Sequence, residues 1–340
     1  MNSFGRIFRI TILGESHGSA VGIILDGCPA GIPIDKEDFI EDLNRRRSGA
    51  RGTTTRLEPD DPEIISGVLN EPEIISGVFN SYTTGTPIGI IIRNKNIRSS
   101  DYSSVTEVPR PGHADFVAIK KYAGFADFRG GGHFSGRLTL GIVAAGVVAK
   151  KIIKPVNCRA DLIEAGGIKD IERAVNKALE ENDSIGGIVE CRIMNVPVGL
   201  GEPFFDSVES VLSHLAFSIP AVRGIEFGSG FKSVIMKGSE HNDKLIGVDG
   251  KTETNYAGGI NGGISNGNEI LFRVAVKPTS STAKTQKTMN IKTGEMVNLE
   301  IKGRHDTCIA LRVPVVIEAC AAIAMADFML LEQKIDKIHK

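Results

Sequence analysis

The chain has 340 residues, 41% hydrophobic and 24% charged, an ordinary balance for a globular protein able to bury a large core. Lys+Arg number 40 against Asp+Glu 41, a formal charge of -1, so no global bias toward nucleic acid or a membrane surface exists and any anion selectivity must come from local clusters. The cysteines, Cys28, Cys158, Cys191, Cys308 and Cys320, are odd in number and free of any CxxC pair. That argues against a disulfide framework and a metal site, and it fits a reducing, cytoplasmic setting.

The opening apolar run is broken by Arg9, Thr11 and Glu15 and is not expected to be a signal peptide. Phe8 to Leu13 predicts a strand that ends in Gly14-Glu15-Ser16-His17-Gly18, and Val21 to Leu25 predicts a second strand closing in an Asp26-Gly27 turn. A carboxylate, a hydroxyl and an imidazole between two glycines read as a site. The same residues satisfy G-x-S-x-G, which keeps a serine hydrolase built on Ser16 as an alternative, although a nucleophile elbow requires a helix where a strand is expected. A plain polar turn, its Ser and His satisfying backbone groups, is a further reading.

Asp35 is placed to cap a helix whose face is marked by Phe39, Ile40 and Leu43 and which ends in Arg45-Arg46-Arg47. Arginines continue at Arg51 and Arg56 in a loop with Gly49 and Gly52. Guanidinium forks bind phosphate or carboxylate bidentately, while the helix-end arginines are also favoured by the helix dipole alone. Between Pro62 and Asn80 the tandem PEIISGVLN and PEIISGVFN reads as adjacent strand-turn units, a surface hairpin without chemistry.

Arg110-Pro111-Gly112-His113-Ala114-Asp115 sets an Arg and a His on a rigid turn entering a helix, where an anion is favoured. Arg129-Gly130-Gly131-Gly132, Ser135 and Arg137 lie at the mouth of a small-residue helix predicted over Ser135 to Lys154; the spacing is neither a P-loop nor a dinucleotide fingerprint. Amphipathic helices are predicted over Ile168 to Asn182 and Phe205 to Phe217, and a strand over Gly187 to Met194, without βαβ alternation. The loop Ala257 to Gly267 leads through a strand to Lys277-Pro278-Thr279-Ser280-Ser281, together suggesting a cradle for a large polyanionic cofactor. Arg304-His305-Asp306 stands at the entrance of the last helix, Val313 to Leu331. Glu318 and Asp327 within it mark a buried helix, not a membrane span.

Taken in order, GESHGSAVGIILDGCPAG, RRRSGARGTTTRLEPD, RPGHAD, RGGGHFSGR, GLGEPFFDSVESVLSHLAFSIPAVRGIEFGSGF, GGISNG, KPTSS and RHDTCIALRVPVVIEAC closely resemble the chorismate synthase family across nearly the whole chain. The resemblance implies a lyase that converts 5-enolpyruvylshikimate 3-phosphate to chorismate and phosphate by an anti 1,4-elimination. It implies reduced FMN as cofactor, lending electron density transiently. Whether the chain reduces its own flavin with NADPH or depends on an external flavin reductase stays open at this point, and the lack of a dinucleotide fingerprint favours an external reductase, with NADPH only an indirect source. By motif, His17 would be the acid toward the flavin and His113 the acid near the departing phosphate. Asp306 would assist removal of the ring hydrogen, with Ser16 and Ser135 in support.

Arg46, Arg51, Arg110, Arg137 and Arg304 match the substrate cations. FMN would rest on His133, Phe134, Ser135, Pro220, Ala221, Gly262, Lys277, Pro278, Thr279, Ser280 and Ser281, with Arg304 close by. The implied fold is a single α+β domain, a β-α-β sandwich with a central layer of helices between antiparallel sheets, assembled as a homotetramer. Three departures from the family pattern stand out: His133-Phe134-Ser135-Gly136-Arg137-Leu138-Thr139 in the glycine-rich loop, the extra PEIISGV unit, and Thr307 in place of a proline. A non-catalytic anion or RNA-binding protein remains a third alternative, weakened by the near-neutral charge and the 6% aromatic content.

Overall fold

The computed structural model describes residues 1–47, 49, 51–53, 73–94, 105–301 and 305–333. Its first half contains β1 (Ser3–Phe4), β2 (Arg9–Gly14), β3 (Ala20–Asp26), α1 (Ile40–Arg46), β4 (Glu73–Ser76), β5 (Val78–Phe79), β6 (Tyr82–Thr83), β7 (Ile88–Arg93), α2 (Asp115–Lys121) and α3 (Thr139–Ile152). The second half contains β8 (Asn157–Ala165), α4 (Ile171–Glu180), β9 (Gly187–Met194), α5 (Val208–Ser218), β10 (Val222–Phe227), α6 (Gly238–His241), β11 (Ile260–Asn261), β12 (Ile264–Ser265), β13 (Ile270–Val276), β14 (Gln286–Met289), β15 (Met296–Leu299) and α7 (Pro314–Leu331).

Two antiparallel sheets, ordered β1-β2-β3-β7-β4 and β10-β13-β9-β8, enclose the helices α3 and α7. Alternation along the strands explains the layering: Ile10, Ile23, Leu25, Ile88 and Ile90 fill the inner face of the first sheet, and Cys158, Ala160, Val189 and Cys191 that of the second. Between them a helix has no polar face to show. α3 is accordingly buried from Thr139 through Ala149, and α7 from Val315 through Met329. Small residues let the layers approach: a β-carbon on Gly141 would stand 2.9 Å from the Gly22 carbonyl oxygen, and one on Gly146 would stand 2.6 Å from the Ala319 Cα. The α+β sandwich with a central helical layer is therefore the observed fold.

α7 is long and apolar enough to cross a membrane, yet 83% of it is buried, against α3, α5 and the strands β8 and β9. Its two carboxylates are structural. Asp327 accepts from the backbone N–H groups of Arg6, Ile7 and Phe8 at 3.0, 2.8 and 2.9 Å, anchoring the chain as it enters β2. Glu318 accepts both arms of Arg45 at 2.7 Å, Lys150 Nζ at 3.1 Å and the Ala160 N–H at 2.9 Å.

Local capping chemistry trims several expected elements. α4 starts at Ile171 because Asp170 accepts from the Arg173 N–H at 3.1 Å, and α5 starts at Val208 because Ser207 accepts from the Ser210 N–H at 3.1 Å. The first PEIISGV copy lies outside the described residues. The second does not form one hairpin: Ile74 of β4 pairs with Ile90 of β7, while β5 turns back onto β6.

Candidate active site

The turn between β2 and β3 carries Ser16 and His17, both buried. Asn94, just beyond β7, holds it from below: its Nδ2 donates to the carbonyls of Glu15, Ser16 and Gly18 at 3.2, 3.1 and 2.7 Å, and its Oδ1 accepts from Arg137 Nε at 2.6 Å. No helix follows Ser16. The chain enters β3, antiparallel to β2, so the strand-to-helix elbow of a serine hydrolase is not formed.

Gly130, Gly131 and Gly132 adopt φ of 59, 84 and 52°, a left-handed run that only glycine takes up without strain. The run also lies against two imidazoles, tightly at Gly130 and at ordinary contact distance at Gly131, while Gly132 packs on the Asp127 carbonyl. A β-carbon on Gly130 would lie 2.5 Å from His17 Nε2 and 2.8 Å from Ser16 Oγ, and one on Gly131 would lie 3.5 Å from His113 Nε2. The Ser16 N–H donates to the Gly132 carbonyl at 3.2 Å, which locks the glycine turn to the His17 turn. The Glu15 carboxyl nearby is raised by burial and by Asp127, whose own carboxyl is drawn down to about 2 by Arg129.

His113 precedes α2. Its Nδ1 lies 2.5 Å from Asp115 Oδ1, and Arg110 grips both oxygens of the same carboxylate at 2.8 Å. Arg110 NH1 also donates to Ser281 Oγ at 3.2 Å, and Ser280 Oγ donates to the Gly112 carbonyl at 2.7 Å, so the Lys277–Ser281 corner is fastened to the His113 turn. Burial lowers the Lys277 ammonium pKa, with Arg223 contributing in the same direction. Thr279 Oγ1 is buried without a hydrogen-bond partner among the described residues. An apolar cavity of about 230 Å³ opens beside His113, lined by Ala118, Phe128, Gly131 and Phe134 among others.

Cations gather on the other flank. Arg46, buried, donates to Thr139 Oγ1 at 2.8 Å and to the Gly136 carbonyl at 2.5 Å. Its guanidinium is pushed well below its usual range by burial, then by Arg312 and Arg137, with Asp306 acting in the opposite sense. Arg312 NH1 donates to Asp306 Oδ2 at 3.1 Å while its Nε holds the Arg46 carbonyl at 2.8 Å. Arg46 thus stands among two further guanidiniums, Arg312 and Arg137, and the Asp306 carboxylate that Arg312 holds, a local excess of positive charge. Ser135 joins the two flanks, its Oγ accepting from the Arg137 N–H at 3.3 Å.

Most residues expected at the site meet in this arc, and some do not. Ala221, next to Pro220, accepts from the Lys277 N–H at 2.8 Å. His133 is exposed, with Nδ1 3.1 Å from the Gly14 carbonyl, and the Phe134 ring lies tilted against Tyr122, centroids 6.3 Å apart. Arg51 is exposed, one residue from Gly52, whose carbonyl accepts the Cys308 N–H at 3.0 Å. Arg110, expected among the substrate cations, instead closes its fork on Asp115. Gly262 is separated from Lys277 within the chain. Gly262 lies in the turn between β11 and β12, eight residues before β13 begins, whereas Lys277 directly follows the last residue of β13. Arg56 and Arg304 lie outside the described residues. Sequence reasoning missed Asn94, Arg312 and Asp115. The last two stand inside quoted motifs, whereas Asn94 carries no local signal.

The model of the family described as chorismate synthase matches residues 8–330. The chain belongs to the chorismate synthase family. A chorismate synthase of Chitinophaga pinensis is 60% identical over 341 residues, covering 100% of both chains, and one of Dehalococcoides mccartyi is 43% identical, covering 100% of this chain and 99% of its own. A crystal structure of chorismate synthase superposes with a TM-score of 0.72 at 24% identity, covering 97% of this chain and 93% of that one, a likeness of fold. Chorismate synthase is a lyase of the shikimate route to aromatic compounds, and the serine hydrolase alternative finds no support.

Proposed function

We propose that this chain converts 5-enolpyruvylshikimate 3-phosphate to chorismate and phosphate in the arc between His17, His113 and Asp306, with reduced FMN as cofactor. The observation that carries the reading is the convergence of two imidazoles on one glycine turn, beside a cluster of guanidiniums around Asp306. A substrate bearing two carboxylates and a phosphate calls for such a cluster, and Arg46 and Arg137, with Arg51 and Arg304, are its ligands. In the reaction a ring C–H bond and the C–O bond to phosphate break, a ring double bond forms, and no net oxidation occurs.

The chain's own residues supply proton handling and orientation. His113 is the acid near the leaving phosphate, and His17 the acid toward the flavin. Asp306, fixed by Arg312, assists departure of the ring hydrogen, and Ser16 and Ser135 brace the two turns. The flavin fits this chain's chemistry at two points: the orphaned Thr279 Oγ1 beside Lys277 and Ser280 suits a phosphate, and the apolar cavity with Phe128 and Phe134 suits a ring system. When bound, reduced FMN supplies transient electron density to the substrate. His133, Pro220, Ala221, Pro278 and Ser281 border those points, and Gly262 joins the reading only from the family motif.

NADPH enters indirectly, through an external flavin reductase. The chain acts as one domain, a reading supported by a single large core that draws on both sheets. It assembles as a homotetramer in a reducing cytoplasm, which the five free, buried cysteines suit. Anaerobic incubation with chemically reduced FMN and 5-enolpyruvylshikimate 3-phosphate, followed by phosphate release and chorismate absorbance, tests it. Turnover that disappears in His17→Ala and His113→Ala is expected; a folded protein that binds neither flavin nor substrate sinks the reading.

A further inference from the structure

His113 has two ring nitrogens, and the structure distinguishes them. Nε2 faces the glycine turn, whereas Nδ1 sits 2.5 Å from Asp115 Oδ1. Arg110 NH2 stands 3.1 Å from Nδ1 as well, but it is nearer to Asp115 Oδ1, at 2.8 Å, and donates there. Two lone pairs 2.5 Å apart repel, so a proton lies between Nδ1 and Oδ1, and Nδ1 is its carrier because Arg110 grips both Asp115 oxygens and keeps the carboxylate ionised. The carboxylate is itself buried, and it accepts from the Arg110 N–H at 3.1 Å as well, so it has no freedom to turn away.

We propose that Asp115 is a positioning residue for His113, fixing the ring as the Nδ1–H tautomer so that the proton given to the departing phosphate is always the one on Nε2. The inference rests on the acid role proposed for His113. In the step, the Nε2–H bond of the imidazolium breaks as an O–H bond forms on phosphate. The neutral ring left behind keeps Nδ1–H bonded to Asp115, and solvent returns a proton to Nε2. The fork of Arg110, fastened to Ser281, prevents Asp115 from taking the Nδ1 proton. Burial alone would raise the Asp115 carboxyl, but Arg110 and His113 together hold it well below the usual carboxylate range.

The test reads the tautomer directly, without cofactor or substrate. In full-length protein labelled with 15N-histidine, long-range proton–nitrogen correlation assigns His113 by its loss in His113→Ala. The wild-type neutral ring is expected to show a protonated Nδ1 and a bare Nε2. Asp115→Asn, which turns an amide toward Nδ1, is expected to invert that pattern and to lower kcat by about 100-fold or more, with substrate KM little changed. A wild-type ring protonated on Nε2, or a tautomer unaltered in Asp115→Asn, overturns the inference, and the wild-type measurement decides alone if the variant fails to fold. An inverted tautomer with undiminished turnover leaves Asp115 as the tautomer-fixing group but removes the acid role of His113, so the two readings fail separately.

Discussion

At the scale of single residues, backbone freedom and one amide hold the chemistry in place. Gly130 is the clearest case: its φ of 59° is left-handed, and a β-carbon there would press into His17 and Ser16. Gly130→Ala is expected to cost about 1–2 kcal/mol of stability from the backbone alone and to displace the His17 ring, so thermal melting falls modestly while kcat falls far more. A variant with unimpaired kcat would show that the glycine serves the loop and not the imidazole. Asn94 divides its work between two ends, donating to three carbonyls of the catalytic turn and accepting from Arg137. Asn94→Asp keeps the acceptor for Arg137 but loses the donor, so kcat should drop with substrate KM nearly retained. Asn94→Ala should impair both and lose about 1–3 kcal/mol of stability, the cost of removing hydrogen bonds from partly buried carbonyls, of which Glu15's keeps the Gly18 N–H. Equal effects of the two variants in steady-state kinetics would refute that division. His17, His113 and Asp306 could be singled out as candidates because the motifs that carry them are local. Asn94 could not, since its role exists only where the end of β7 meets a turn far away in sequence.

Elements are fixed where a buried charge or a small residue meets a neighbour. The helix periods were legible in the sequence, and the strand over Gly187–Met194 falls where its alternation predicts. Starts of α4 and α5 were misjudged because apolar spacing continues past the residues that cap them, Asp170 and Ser207. Arg45 was read as part of a basic cluster for anions, yet its fork serves Glu318 of α7, which ties α1 and α3 to β8. Glu318→Gln removes one partner of a buried ion cluster and is expected to destabilise by about 3–5 kcal/mol in chemical denaturation. Burial would raise this carboxyl, but Arg45 and Lys150 outweigh it and hold the folded-state pKa below the ordinary value of 4.5. A depressed folded pKa gives stability that is complete above the ordinary glutamate range and is lost as pH falls through the lower folded value. The stability gap between wild type and Glu318→Gln should therefore be widest near neutrality and shrink in acid. A gap independent of pH would mean that hydrogen bonding, not charge, holds the cluster.

For the whole molecule, the layered architecture was implied by family resemblance, but the strand order was not readable from the residues: β7 inserts between β3 and β4 by pairing Ile23 with Ile90, and β9 lies between β8 and β13 by pairing Cys191 with Phe272. Such pairings are decided by long-range burial, which no local pattern encodes. The same scale exposes what a lone chain does not bury. Phe205, Phe231 and Ile235 are 91%, 81% and 85% exposed, and Phe204, Val234, Leu245 and Val248 are exposed with them. Large apolar side chains, carried by the segment before α5 and by those after β10, cost free energy in water and are the surface that another copy would cover in the proposed tetramer. With a formal charge of -1 there is little electrostatic repulsion between copies to oppose that association. Native mass spectrometry is expected to give a four-chain mass, and Phe231→Asp with Ile235→Asp to give smaller species whose far-UV circular dichroism matches wild type. The two positions lie in a short 3-10 turn, so the substitutions leave both sheets and the α3–α7 layer intact. A wild-type protein that stays a single chain at micromolar concentration would show that these side chains are tolerated in solvent, and homotetramer assembly would then have no support in this surface.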